Sequence, residues 1–73
     1  MNENEDIRRW AVAVTLARYA SNGSSEIKSL LLDLRAVSKD EAVGKAIRWS
    51  NDKFPSSDGW VTYQPLAMEI TAP

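Results

Sequence analysis

Val37-Ser38-Lys39-Asp40-Glu41-Ala42 is where the hydrophobic period of this chain changes. Upstream of it, large apolar residues alternate in twos. Downstream, they recur at helical spacing. Ser38 can cap a helix by accepting from the backbone three residues on, and Glu41 stands where a capping box places its reciprocal partner. Asp40 and Glu41 also lie where the helix dipole favours negative charge. On a helical wheel, Ala42, Val43, Ala46, Ile47, Trp49 and Phe54 fall within one arc, while Gly44, Lys45, Arg48, Asn51 and Asp52 fall opposite. Pro55 disfavours helical geometry at Phe54, so the spacing predicts a helix from Ser38 to about Lys53.

Upstream, Trp10-Ala11-Val12-Ala13-Val14-Thr15-Leu16-Ala17 alternates large with small. As a strand it places Trp10, Val12, Val14 and Leu16 on one face, and Ala11, Ala13, Thr15 and Ala17 on the other. Glu26 to Val37 reads as a second strand, with Leu30, Leu32 and Leu34 on one face and Leu31, Asp33 and Arg35 on the other. Ser21-Asn22-Gly23-Ser24-Ser25 joins the two as a turn. Asn-Gly is the usual signal for a two-residue hairpin loop. That loop, however, would set Leu30, Leu32 and Leu34 beside Ala11 and Ala13. A loop of three or five residues sets them beside Val12, Val14 and Leu16. A one-residue slip swaps the faces, and gathering the large residues into one core favours the odd loop.

Downstream of the helix, Pro55-Ser56-Ser57-Asp58-Gly59 is a loop, and Trp60 to Thr71 reads as extended. Its alternation changes phase at Gln64-Pro65, from Val61 and Tyr63 to Leu66, Met68 and Ile70. A proline within a strand implies an edge or a bulge, and a bulge also changes the phase. The predicted fold is therefore a small α+β domain, β-β-α-β. It has a three-stranded antiparallel sheet of order 2-1-3, one helix packed on one face, and a last strand bent at Pro65. Residues 1–6 read as a flexible acidic tail, and 7–73 as a single domain.

The 73 residues contain neither cysteine nor histidine. Disulfides and ordinary zinc sites are thereby excluded, as are the commonest catalytic base and the strongest nucleophile. The three glycines are scattered, so no phosphate loop is formed. No cofactor, metal site or enzymatic activity is expected. Nine basic residues against ten acidic give no cationic excess of the kind nucleic-acid binders carry. The acidic start is unlike a secretory signal, and the charge-free apolar run from Trp10 to Ala17 is too short to cross a bilayer. A cytoplasmic protein with no membrane partner is expected.

A chain this small buries only about 60% of its unfolded surface. One helix covers one face of a sheet. The other face, with Ala11, Ala13, Thr15, Ala17, Leu31, Arg35, Trp60 and Tyr63, is the candidate interaction surface. The expected function is a non-catalytic protein–protein interaction module (an adaptor, inhibitor or regulatory subunit) acting through this open face or through the broken edge strand, with self-association into a homodimer as one form of it. The alternative is sequence-tolerant single-strand nucleic-acid binding, through Arg8, Arg9, Arg18, Lys28 and Arg35 beside Trp10 and Tyr19. A small-ligand or enzymatic module stands third. Trp49 is expected in the core, and Trp10 and Trp60 half exposed at its rim.

Overall fold

The computed structural model describes residues 6–71. Of the expected tail, residues 1–5 lie outside them. Strands β1 (Arg8–Tyr19) and β2 (Ser25–Ala36) form a long antiparallel hairpin. Helix α1 (Lys39–Lys53) follows, then one 3-10 turn at Ser56–Asp58, then β3 (Val61–Thr62) and β4 (Leu66–Ile70). Both late strands pair antiparallel with β1 on the side away from β2. The single bent third strand of the sequence reading is thus two short ones in the same position, and the sheet order is 2-1-3 as expected.

The hairpin takes the odd loop. Tyr19 pairs with Ser25 across the five residues 20–24, and Trp10, Val12 and Val14 pair with Leu34, Leu32 and Leu30. The loop is built around a tight turn in which Gly23 N–H donates to Ala20 C=O at 2.9 Å, with Gly23 at φ 88°. That left-handed conformation is what glycine supplies here. Asn22 Oδ1 accepts from both the backbone N–H and the hydroxyl of Ser24. Burial of the large face sets this register, and the Asn22 and Gly23 contacts accommodate it within the longer loop.

Ser38 caps α1, its Oγ accepting from Glu41 N–H at 3.1 Å. The return bond is shifted by one residue: Glu41 Oε1 accepts from Val37 N–H at 2.8 Å rather than from the cap residue itself. The helix ends at Lys53, with Phe54 N–H closing on Ser50 C=O before Pro55.

The register of the last third explains the phase change. Leu16 pairs with Thr62 and Ala17 with Val61, whereas Ala13 pairs with Leu66 and Arg9 with Ile70. Between the two segments the late chain takes up one residue more than β1, and Tyr63 N–H still reaches Thr15 C=O. This is the bulge, and it places the buried Pro65, which has no N–H to donate, where ladder pairing is interrupted.

The core lies between the sheet and α1. Val12, Val14 and Leu16 are fully buried, with Ala36, Ala42, Ala46, Trp10 and Trp60, and Leu30, Leu32, Leu34, Phe54 and Ala67 pack around them. The helix meets the sheet along a line of small residues, Ala42, Ala46 and Ser50. Two expectations are corrected here. Trp49 is not core: it is 39% exposed. It lies at the edge of the apolar arc, one turn after Lys45, whose Nζ donates to the Arg35 carbonyl of β2. Trp10 and Trp60 are not half exposed but buried, at 6% and 7%. The Trp10 indole N–H donates to Ala36 C=O at 3.0 Å, and Trp60 packs edge-on against Phe54.

Candidate interaction face

The pleat of β1 sends its odd-numbered residues away from the helix, and cross-strand pairing then sets the outer face row by row. Leu31, Ala13 and Leu66 lie side by side across β2, β1 and β4. Asp33, Ala11 and Met68 make the next row, and Arg35, Arg9 and Ile70 the last. Beyond the bulge, Val61 pairs with Ala17 and Tyr63 bonds Thr15. Each central row places a small residue of β1 between larger neighbours, so β1 forms the floor of a groove. That groove has a volume of about 230 Å³, floored by Ala11 and Ala13 and walled by Leu31, Leu66 and Met68. Leu31, Leu66 and Met68 are 74%, 73% and 71% exposed.

Seven of the eight residues expected on this surface are on it: Ala11, Ala13, Thr15, Ala17, Leu31, Arg35 and Tyr63. Trp60 is not. It precedes Val61, so alternation turns it to the inner face, where the Arg18 guanidinium lies 4.6 Å over its ring. Leu66, Met68 and Ile70, outside the expected set, supply much of this face. The signal was available in the phase change, because a one-residue bulge returns the second set of alternating residues to the face of the first.

The charges cluster at one end. Arg9 binds Asp33 through two contacts, Nη2–Oδ2 at 2.6 Å and Nε–Oδ1 at 3.4 Å. The Arg9 hydrogen bonds, offset in part by desolvation and aided by nearby Arg35, hold the Asp33 carboxyl below the usual carboxylate range. The groove itself carries Asp33 only at its border and no other charge. The other carboxylates with ion-pair partners are elsewhere: Glu26 meets Arg18 at 2.7 Å and Glu69 meets Arg8 at 3.3 Å.

The basic residues that suggested nucleic acid do not converge. Arg18 and Lys28 lie on the inner face near Trp60, Arg9 and Arg35 on the outer, and Trp10 is buried. A second hollow of about 260 Å³ opens beside the bulge, between Ile47 and Asn51 of α1 and Thr62, Tyr63, Gln64 and Pro65. Its polar groups are amides and hydroxyls. Among the described residues no three acidic, histidine or cysteine side chains gather into a metal site, and no helix is long and apolar enough to cross a membrane. No family model, curated protein or solved structure matches the chain.

Proposed function

We propose that this chain is a small cytoplasmic, non-catalytic protein-interaction module whose working surface is the outer face of the sheet. One observation carries the reading: a contiguous apolar surface with an alanine-floored groove on the side opposite the helix. The exposed parts of Leu31, Val61, Tyr63, Leu66, Met68 and Ile70 together present roughly 600 Å² of largely apolar surface, at about 150–200 Å² for a whole large side chain. That lies at or above the largest patch of a typical monomer, and patches of this size mark interaction sites. Antiparallel sheets tolerate a solvated face, but that face is normally polar. Here β4 instead directs leucine, methionine and isoleucine outward. The non-catalytic reading is supported by four carboxylates already engaged in structural contacts: Asp33, Glu26 and Glu69 each face an arginine, and Glu41 closes the helix cap.

The test compares immobilised wild-type chain with a Leu66→Glu variant in nuclease-treated lysate, at low and high salt. A protein retained by the wild type at both salts and lost on the variant supports the reading. Retention indifferent to the substitution overturns it, as does a chain that neither retains a protein nor associates with itself. Binding that collapses with salt and needs intact nucleic acid would move the assignment to the nucleic-acid alternative.

A further inference from the structure

We infer that the outer face is covered by a second copy of this chain, in a symmetric face-to-face dimer. The inference rests on the reading of that face as an interaction surface, and names its occupant. Three features point to a second copy rather than a foreign partner.

The first is how the large residues are divided. The helix contributes only Ala42, Ala46 and Ser50 as fully buried residues, so the core inside one chain is thin. Leu31, Leu66 and Met68 stand on the opposite side of the sheet. Small chains without disulfides or metals commonly add association to a core of this kind. A second sheet stacked on the first, about 10 Å away, would convert the outer face into a second core.

The second is area. Roughly 600 Å² from the large side chains, with Ala11, Ala13, Thr15 and Ala17 between them, approaches the about 800 Å² per partner of a standard stable interface. A face-to-face pair therefore needs little beyond the surface already apolar.

The third is charge. A foreign partner is usually selected by an opposite field, and this face presents almost none. Asp33 is neutralised by Arg9 through two contacts, which leaves Arg35, at the end of the face, without an ion-pair partner among the described residues. A patch with so little charge can meet its own copy with little repulsion, as the self-complementarity of an isologous interface demands.

Sedimentation equilibrium tests this on the full chain. The wild type is expected at about twice the chain mass of 8.1 kDa at micromolar concentration. Leu66→Glu is expected to weaken the dimer about a hundred-fold or more, since it buries an unpaired charge on each side. Its circular dichroism should stay unchanged, because Leu66 makes no part of the inner core. A second variant keeps the test independent of that fold. Ala13→Cys places a thiol at the centre of the patch in a chain with no other cysteine. A short bismaleimide should join two such chains, whereas Asp40→Cys on the helix should remain unjoined. Monomeric wild type with no cross-linking overturns the dimer. A hydrophobic dye then separates the two readings: a monomer that binds dye, and loses it on Leu66→Glu, keeps the interaction face without the second copy. A monomer indifferent to both overturns face and dimer together.

Discussion

Replacing Ser50 with alanine should stabilise the fold, against the usual expectation for a substitution at a fully buried position. Ser50 has no exposed surface, and its hydroxyl has no hydrogen-bond partner among the described residues. An unpaired hydroxyl held away from water costs about 1–3 kcal/mol by mutational measures. Alanine also has the better helix propensity, by roughly 0.5 kcal/mol. The removed atom is one oxygen, so the cavity left behind is small. The expected gain is about 2 kcal/mol, which for a domain of this size raises Tm by roughly 8–16 °C. Thermal unfolding by circular dichroism measures it, at one protein concentration so that association does not contribute. An unchanged or lowered Tm would refute the reasoning, and would mean that the hydroxyl has a strong partner after all. Ser50→Val separates the two terms: it also lacks the hydroxyl, but it adds volume where the helix meets the sheet, and should be less favourable than Ala.

Two further predictions concern the helix cap and the outer-face ion pair. Ser38→Ala should cost about 0.5–2 kcal/mol, read by urea unfolding, because the Glu41 N–H loses its acceptor. A change below that range would mean that Glu41, through its bond to Val37, holds the helix start alone. Asp33 should titrate below the ordinary carboxylate range in the folded chain, followed by its carboxyl carbon resonance, and return toward that range in Arg9→Gln. Its folded pKa is depressed, so the contribution to stability is present above the unfolded value of about 3.9 and is lost as pH falls through the folded value. An ordinary Asp33 pKa in the wild type would contradict the paired geometry.

Much of the fold was legible because several local signals agreed with the global one. Ser38 and Glu41 start the helix and Pro55 stops it, independently of packing. The hairpin register was legible for a different reason: Asn22-Gly23 alone favours a two-residue loop, but burial of Val12, Val14 and Leu30 on one side outweighs it. The candidate face was read only in part. Trp60 and Tyr63 lie three residues apart, so strand alternation places them on opposite faces. Leu66 and Met68 lie beyond the phase change, and the expected surface takes its residues only from before it, although a single added residue restores the outer phase. Trp49 was misplaced because a wheel gives direction but not depth. Ala42, Ala46 and Ser50 let the helix axis come close to the sheet, and the bulky neighbour at the flank is left partly in solvent. Ser50 continues the Ala42–Ala46 line at i+4 spacing, so its position points to the sheet although serine is ordinarily a surface residue.

The central claim is that the outer face is covered by protein, and Met68 reports on it directly. It stands in the groove wall, 71% exposed in the single chain, and the only other methionine is Met1. Its rate of oxidation by dilute peroxide can be followed by mass spectrometry across protein concentration. The account expects a rate near that of free methionine at high dilution, falling several-fold as the chains associate, with Leu66→Glu remaining fast throughout. A Met68 that oxidises at the free rate at every concentration, and in the presence of any protein captured from lysate, would contradict it.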